Sequence, residues 1–349
     1  MHITGSFDGG NPQEVQSIVS TGPDSFVIYP FSEDEDPGYK FRLDVKVLQE
    51  EAATQRLKLR IHWKDELYNK YRNHLFAGNT GLDWICHSGI IDGEAVCFEF
   101  ELPLGETHLT LNPKYDYEDY LNLVQRTEHS SDISRKLITK TDEDREVWLL
   151  ATDNAGTDLR ILLTARAHPY ETAGSYCIEG ILEEILDGRT EFIRDVQLFL
   201  IPMLCPDGVS NGLCKLSSVG GEDIARSHNR GDRLVSSLFS VIDEIKPHFI
   251  LDFHNWMLPD RNGLFYERPG WMRRFVRLMN QKGHGDRDWI RGVNKIFFSR
   301  QPAGLKGYAK DRYATRCMTV EYPWLGRDVR QMKSLGIDTV KTLIHLLTK

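Results

Sequence analysis

The sequence lacks the features that mark membrane, secreted and nucleic-acid-binding proteins. None of its 349 residues lies in a run that approaches the ~20 apolar residues needed by a membrane-spanning helix. Residues 1–6 contain neither a basic nor an apolar segment, so we expect no secretory signal. There is no long basic run and the net charge is −8, which disfavours nucleic acid and anionic membranes as partners.

Cysteine usage and composition indicate a folded protein with reduced thiols. The six cysteines form no CxxC pair and are scattered as Cys86, Cys97, Cys177, Cys205, Cys214 and Cys317. Without a secretory signal, this pattern predicts free thiols and a cytoplasmic location. Apolar residues make up 40% of the chain and charged residues 27%, as in globular proteins, and the length is sufficient for two domains.

The first third of the chain has the pattern of short β-strands. Apolar and polar residues alternate, as in half-buried strands, over residues 26–30, 41–47, 57–63, 95–102 and 107–111. Several short strands separated by turns are typical of a small antiparallel β-sandwich. We therefore expect an N-terminal β-sandwich domain over residues 1–113.

The pattern changes to α/β from Glu146 onwards. Near-continuous apolar runs, typical of strands covered on both faces of a sheet, occupy residues 147–152, 159–165, 196–203, 249–253 and 317–320. Between the second and third runs, apolar residues recur at helical spacing, and Gly188 stands where a helix C-cap is expected. These features predict an α/β domain over residues 114–349.

A histidine and a glutamate follow the second of these buried runs. His168 and Glu171 are three positions apart, so one helical turn or a tight loop brings the imidazole and the carboxylate to the same side. A catalytic zinc site uses three ligands of this kind and keeps one position open for water. His254 follows the run at residues 249–253 and is the candidate third ligand, because α/β sheets place their sites at that edge. Taken alone, the His-x-x-Glu pair also fits a surface histidine near the start of a helix.

The order of four segments resembles that of the zinc carboxypeptidases, or funnelins, from about Tyr115 to the C-terminus. The segments are His168-Pro169-Tyr170-Glu171, similar to the His-x-x-Glu ligand pair; Pro202-Met203-Leu204-Cys205-Pro206-Asp207-Gly208-Val209, similar to Pro-x-x-Asn-Pro-Asp-Gly-Val; Asp252-Phe253-His254, similar to the strand with the last zinc ligand; and Thr319-Val320-Glu321, similar to the Thr-x-Glu strand. The resemblance implies a mixed-sheet catalytic domain with one zinc ion per chain, held by His168, Glu171 and His254, and Glu321 as catalytic base.

Two further segments resemble the cytosolic carboxypeptidase branch of this family. They are Phe7-Asp8-Gly9-Gly10-Asn11 and Pro113-Lys114-Tyr115-Asp116-Tyr117. Members of that branch carry a β-sandwich before the catalytic domain. The strand-rich first third of the chain agrees with this arrangement.

Glu321 also has the chemistry and setting of a general base. A carboxylate near a zinc-bound water can take its proton and pass it to the leaving amine. Glu321 follows a buried apolar run and precedes Tyr322-Pro323, so the strand ends there and the side chain can face a cleft. Asp223-Ile224-Ala225-Arg226 resembles the family's Asp-Leu-Asn-Arg segment, whose Asp supports a zinc-ligating histidine. The resemblance therefore implies that Asp223 lies behind His168.

Two residues in this region depart from the family pattern. Ala225 replaces the Asn that, with the following Arg, holds the substrate's terminal carboxylate, so Arg226 keeps that role in the expected register. The pair Asn229-Arg230 is the alternative clamp if the loop is remodelled. Lys215 stands where the family has an Arg that stabilises the oxyanion, and it supplies charge without the planar two-pronged fork. Lys215 also fits a solvated loop lysine.

The sequence carries few signals for the preferred C-terminal side chain of the substrate. A loop over residues 298–313 is expected to line the side-chain pocket. Within it, Gly307-Tyr308-Ala309-Lys310 resembles the Gly-Thr-Ala-Arg run of cytosolic members that trim glutamates, so Lys310 is a candidate for selecting an acidic side chain. Tyr308 and Tyr313 are candidates for a tyrosine that covers substrate.

The expected activity is hydrolysis of the C-terminal peptide bond of a peptide or protein. Two alternatives remain open: a zinc amidase or deacylase on the same fold, and a non-catalytic binding protein that has lost turnover. The retained Arg226 and the sandwich domain favour a peptide substrate. Neither the natural substrate nor the oligomeric state follows from the sequence.

Overall fold

A computed structural model of the chain describes residues 1–10, 17–30, 33, 42–50, 55–63, 72–79, 83–154, 157–255, 258–292 and 304–349. Its first ten strands are β1 (His2–Thr4), β2 (Ser17–Gly22), β3 (Ser25–Tyr29), β4 (Asp44–Gln49), β5 (Gln55–Ile61), β6 (His74–Gly78), β7 (Ile85–Ser88), β8 (Ile90–Asp92), β9 (Ala95–Leu102) and β10 (Gly105–Thr110). They form two five-stranded sheets, in the orders β1-β4-β10-β6-β7 and β2-β3-β5-β9-β8.

The two sheets share one apolar core, as expected for a sandwich. Val45 and Leu109 from the first sheet and Leu59 and Val96 from the second all lie in the same buried cluster. Alternate residues along β9 are buried, which is the period of a strand with one covered face. The strand-rich first third therefore forms an additional β domain.

One strand pair differs from the antiparallel pattern expected for this domain. Strand β3 pairs with β5 in parallel, with Phe26 opposite Leu59. Strand β4, which lies between them in the sequence, belongs to the other sheet. Because the chain crosses to that sheet and returns, β5 can run in the same direction as β3.

The second half of the chain is built on one mixed sheet. Its strands are β11 (Ile133–Lys140), β12 (Glu146–Thr152), β13 (Arg160–Ala165), β14 (Gln197–Ile201), β15 (Phe249–His254), β16 (Arg261–Phe265), β17 (Asp288–Gly292) and β18 (Arg316–Glu321), in the order β11-β12-β14-β13-β15-β18-β16-β17. The central strands β14, β13, β15 and β18 are parallel, whereas β12 and β16 join them antiparallel.

Helices cover both faces of this sheet. They are α1 (Tyr117–Arg126), α2 (Ala173–Leu186), α3 (Pro206–Ser210), α4 (Arg233–Ile245), α5 (Pro269–Met279), α6 (Gly304–Tyr313) and α7 (Val329–Thr348), with a short 3₁₀ segment at Glu191–Ile193 and a π turn at Asn280–His284. Along β13, Leu163 packs into the cluster that contains α2 and α7, and Leu162 packs into the cluster that contains α4. Burial on both faces explains the continuous apolar runs.

No helix in the described part of the chain combines the length and apolar character required to cross a membrane.

Helix α2 fixes the position of the loop that precedes it. A Cβ at Gly174, in its first turn, would lie 2.8 Å from the Cβ atoms of both Ala165 and Phe253, so the helix starts directly against the ends of β13 and β15. At the other end, Gly188 has φ of 78° and the Arg189 N–H donates to the Glu184 carbonyl at 2.9 Å. This is the C-terminal cap that the glycine predicted.

The segment expected to be a loop over residues 298–313 is a helix for most of its length. Residues 304–313 form α6, and residues 298–303 lie outside the described residues, as does Asn11. Glycines, lysines and tyrosines interrupt the spacing of apolar residues by which a helix is predicted from this segment. Helix packing against α4 supplies the stabilisation that local propensity does not.

Candidate active site

Three neighbouring parallel strands end at the same edge of the mixed sheet. Ala165, the last residue of β13, pairs with Phe253 of β15. The loop that carries His168 therefore starts beside the end of β15, where His254 lies. His254 pairs in turn with Glu321, the last residue of β18. The parallel register therefore brings together residues separated by more than 150 positions in the sequence.

His168, Glu171 and His254 form a group suited to a metal ion. Each offers one ligand atom, and these atoms lie within 4.8 Å of one another. Glu171 Oε1 is 2.8 Å from His168 Nδ1, and Glu171 Oε2 is 2.6 Å from His254 Nδ1. The buried Oε2 atom makes no hydrogen bond of acceptable geometry, as expected of an oxygen that serves as a ligand. Two imidazole nitrogens and one carboxylate are a donor set that zinc accepts.

A carboxylate lies behind each histidine. His168 Nε2 is 3.5 Å from Asp223 Oδ1, and His254 Nε2 is 2.8 Å from Asp252 Oδ2. A carboxylate in this position fixes the N–H on Nε2 and leaves the Nδ1 lone pair for the metal. The sequence predicted Asp223 as such a partner. Asp252 belongs to the Asp252-Phe253-His254 segment, but the sequence assigned it no role, because alternation along a strand does not show which neighbour a side chain contacts.

Asp252 belongs to a buried polar network beneath the site. Thr164 Oγ1 donates to its Oδ1 at 2.7 Å, and the Lys306 ammonium donates to its Oδ2. The same ammonium donates to Thr319 Oγ1 at 2.9 Å. All of these side chains are buried. The sequence assigned no role to Lys306 or to the two threonines, since each comes from a different element.

Neighbouring charges strongly shift the pKa values of two buried carboxylates at this site, Glu171 and Asp252. Burial opposes ionisation of Glu171, but the two imidazoles overcome it and hold the pKa of Glu171 well below its usual value. Burial likewise opposes ionisation of Asp252, whose pKa is nevertheless held low by Lys306 and His254. The carboxylates are therefore anionic and ready to bind a cation or to accept hydrogen bonds.

Glu321 faces the ligand group from the adjacent strand. Gly263 of β16 pairs with it, and a Cβ at Gly263 would lie 2.7 Å from the Glu321 Cβ, so only glycine leaves room for this side chain. Burial raises the pKa of Glu321 to about 8, with His254 acting against the shift. A carboxylate that holds a proton near neutral pH has the basicity required for proton transfer.

Two basic residues lie close to Asp223. Lys215 Nζ is 3.9 Å from Asp223 Oδ2, and Arg226 Nε is 3.7 Å from the same oxygen. The Lys215 side chain is largely buried, whereas that of Arg226 is 53% exposed and can reach a ligand from solvent. Since Asp223 contacts His168, both basic residues stand beside the candidate metal site.

Arg230 occupies a different environment. Its guanidinium lies over the rings of Phe239, at 5.2 Å, and Tyr308, at 4.9 Å. Tyr308 and Tyr313 each donate a hydrogen bond to Asp243, near the end of α4. The chain enters β15 a few residues later, so this cluster lies toward the end of the sheet opposite His254.

Lys310 also points away from the ligand group. Helix α6 starts where a Cβ at Gly304 would touch the Ala225 carbonyl, and it ends near Thr315, whose hydroxyl donates to the Pro247 carbonyl. The helix therefore runs from the site to the opposite end of the sheet. Lys310 is 3.4 Å from Glu267, beyond the end of β16. The expectation that Tyr308, Tyr313 and Lys310 line a substrate pocket is not supported, because residues 304–313 are helical and only their first turn reaches the site.

Comparison with known proteins agrees with this geometry. Residues 117–230 match the family model Peptidase_M14, zinc carboxypeptidase. Over 94 residues, 25% of this chain, the sequence is 38% identical to cytosolic carboxypeptidase 6 of Caenorhabditis elegans, and the match spans 20% of that protein. The family match includes His168 and Glu171, whereas His254 and Glu321 lie beyond it.

Two solved structures have the same fold over nearly the whole chain. A metallo-carboxypeptidase from Burkholderia cenocepacia superposes with a TM-score of 0.82 at 14% identity, covering 99% of each chain. A metallo-carboxypeptidase from Pseudomonas aeruginosa, in complex with (2-guanidinoethylmercapto)succinic acid, also gives 0.82 at 18% identity, covering 100% of this chain and 99% of that one.

The fold, including the N-terminal β domain, is that of metallo-carboxypeptidases. Residues 117–230 are similar to the zinc carboxypeptidase family, and cytosolic carboxypeptidases are among the similar proteins, each matched over a fifth or less of its own length.

Proposed function

We propose that the chain is a zinc-dependent carboxypeptidase that hydrolyses the C-terminal peptide bond of a peptide or protein. The observation that carries this proposal is the convergence of His168, Glu171 and His254 at one sheet edge, with Glu321 in register beside His254. The proposed catalytic domain spans residues 114–349 and follows a β domain over residues 1–113. A cytoplasmic location is proposed from the cytosolic carboxypeptidases among its homologues.

One zinc ion per chain would be held by His168, Glu171 and His254, with Asp223 and Asp252 orienting the two histidines. A zinc ion bound there supplies a water of lowered pKa and polarises the scissile carbonyl. Three protein ligands would leave one zinc position for water, as catalytic zinc sites require.

Glu321 is the proposed general base. Its carboxylate takes a proton from the attacking water and passes it to the nitrogen of the departing residue. Its register with His254 in the sheet supports this role. Lys215 supplies positive charge for the oxyanion that develops on the scissile carbonyl, since its ammonium stands beside Asp223 at the edge of the site.

Arg226 is the proposed clamp for the substrate's terminal carboxylate. Its exposed guanidinium lies beside Asp223, whereas Arg230 is engaged with aromatic rings. Ala225 packs against the apolar cluster that contains α4, and it removes one amide donor that would contribute about 1.5–3 kcal/mol to a charged hydrogen bond. The succinic acid compound bound by the Pseudomonas aeruginosa protein is a carboxylate ligand, which supports carboxylate recognition in this fold.

The test compares peptides with a free C-terminus and their C-terminal amides. We expect the free peptides to be cleaved and the amides to be spared, because a guanidinium binds a carboxylate through paired charged hydrogen bonds and an amide offers only one acceptor. Chelation of zinc should abolish cleavage.

Arg226→Ala should raise KM and lower kcat/KM at least tenfold, about 1.4 kcal/mol, with Arg230→Ala as the matched control.

Three outcomes would contradict this assignment or a part of it. A larger effect of Arg230→Ala would make Arg230 the clamp. Equal cleavage of free and amidated peptides would exclude a carboxypeptidase and favour the zinc amidase, while zinc binding without any turnover would favour a binding protein.

A further inference from the structure

A buried lysine lies directly beneath the candidate metal site and has no role in the proposed reaction. Lys306 is 8% exposed and sits in the first turn of α6. Its ammonium reaches Asp252 on β15 and Thr319 on β18, so one side chain joins a helix to two strands that end at the site. A buried ammonium is costly unless it is paired, which makes this placement informative.

These contacts connect Lys306, through Asp252, to the candidate metal ligand His254. Lys306 donates to Asp252 Oδ2, and the same oxygen is 2.8 Å from His254 Nε2. The other oxygen of Asp252 accepts from Thr164 at 2.7 Å, so the carboxylate is held from both sides. A carboxylate fixed in this way can hold the imidazole of His254 in one orientation, with Nδ1 toward the metal.

The local charges explain why a cation is needed there. Glu171 and Asp252 both contact His254, and Glu321 pairs with it in the sheet, so three acidic residues surround this histidine. Without Lys306, the buried Asp252 carboxylate would lose its charged partner and would hold the imidazole of His254 less firmly. Lys306 balances Asp252 without taking the place of a ligand.

We propose that Lys306 is a positioning residue that acts through Asp252 to hold His254 in its metal-binding orientation. The inference rests on the proposed function, since it requires a metal at His168, Glu171 and His254. It assigns to the lysine a contribution to metal affinity and site geometry rather than contact with substrate.

The test uses Lys306→Met, Asp252→Asn and the double variant, each measured for zinc affinity by competition with a chelator. Lys306→Met and Asp252→Asn should each weaken zinc binding about 10- to 100-fold, the usual effect of removing a partner of a ligating histidine. If Lys306 acts through Asp252, the double variant should bind zinc no more weakly than Asp252→Asn alone. Lys333→Met is the matched control, because Lys333 also pairs with carboxylates, Glu179 and Glu183, but on α2, away from the site.

Cobalt substitution separates a positioning role from a purely structural one. The visible absorption of the Co²⁺-loaded Lys306→Met variant should differ from that of the wild type, and its kcat should fall with little change in KM. The Lys333→Met protein should keep the wild-type spectrum. Wild-type zinc affinity and cobalt spectrum in Lys306→Met, whatever its melting temperature, would overturn the inference.

A milder variant covers the case in which Lys306→Met does not fold. Thr319→Val removes one acceptor of the Lys306 ammonium and keeps the side-chain shape. It should weaken zinc binding several-fold, and unchanged affinity and cobalt spectrum would contradict the inference. Failure of the proposed function itself would show differently, as loss of stoichiometric zinc binding in the wild-type protein.

Discussion

At the scale of single residues, the candidate site is defined by which atom of each side chain faces its neighbour. Glu171 lies between the Nδ1 atoms of His168 and His254, and Asp223 and Asp252 face the two Nε2 atoms. This arrangement fixes both histidines in the tautomer that leaves Nδ1 free for a metal. It also means that the metal-free site favours protons on the histidines.

Zinc binding should therefore displace protons and strengthen as pH rises. Burial opposes a charged His254, but Asp252 and Glu171 raise its pKa well above its usual value, and Glu171 also raises the pKa of His168. Raised pKa values favour the protonated form of both histidines, and a ligating histidine must be neutral. Calorimetry at about pH 7 in buffers of different ionisation enthalpy should show release of about one proton or more per zinc. A pH-independent affinity with no proton release would contradict this charge assignment.

Replacement of the proposed base should separate chemistry from metal binding. Glu321→Gln keeps the side-chain shape but cannot accept the proton, so kcat should fall by about 10²–10⁴-fold while zinc affinity stays nearly unchanged. Steady-state kinetics and chelator competition on the same preparation measure both quantities. Near-wild-type turnover would mean that another group takes the proton.

At the scale of secondary-structure elements, the site depends on close approach between neighbouring strands and helices. Gly174 brings α2 against β13 and β15, and Gly263 leaves space for Glu321 between β16 and β18. Helix α6 passes beneath the site with only its first turn in contact. The close approach of these elements therefore restricts where the reactive side chains can lie.

A single methyl group at Gly263 should displace Glu321. The new Cβ would lie 2.7 Å from the Glu321 Cβ, closer than such atoms approach, so the strand or the side chain has to move. A shift of about 1 Å at a catalytic group can cost on the order of 10²-fold in rate. We expect Gly263→Ala to lower kcat with normal zinc binding, whereas Gly270→Ala, where the nearest atom is the end of a flexible arginine, should leave kcat unchanged.

At the scale of the whole molecule, the β domain holds a loop of the catalytic domain. Arg42 is buried and donates to the Leu213 carbonyl at 2.9 Å and to the Val209 carbonyl at 3.5 Å. The Glu33 carboxylate accepts hydrogen bonds from the backbone N–H groups of Cys214, Lys215 and Leu216. The two residues hold successive parts of the loop that carries Lys215.

Loss of Arg42 should therefore affect both stability and turnover. Arg42→Met removes the side-chain donor to the Leu213 carbonyl, at a cost of about 1–3 kcal/mol in the free energy of unfolding. Because the loop then loosens around Lys215, kcat should fall as well. Denaturant unfolding and kinetics measure the two effects, and Arg56→Met, which breaks the exposed pair with Glu99, serves as control. Unchanged kcat in a destabilised Arg42→Met protein would limit the β domain to a structural role.

Local patterns in the sequence predicted the two-part architecture, and the order of four segments that resemble the zinc carboxypeptidases predicted the candidate metal ligands. Alternating and continuous apolar runs depend only on which faces of a strand are covered. They predicted the sandwich strands β3, β4, β5, β9 and β10 and the buried strands β12, β13, β14, β15 and β18 of the mixed sheet. His168 and Glu171 are near neighbours in the chain, and His254 and Glu321 each end a buried run. Their convergence followed from the rule that parallel strands share one functional edge.

Contacts between distant residues were decided by the tertiary structure alone. The parallel pairing of β3 with β5, the helical state of residues 304–313 and the Lys306–Asp252 contact join segments whose local patterns carry no information about each other. The same holds for Arg42 and the loop at Leu213, which are 171 positions apart. The physical reason is that hydrophobic periodicity records whether a side chain is buried, whereas its partners depend on how complete elements pack.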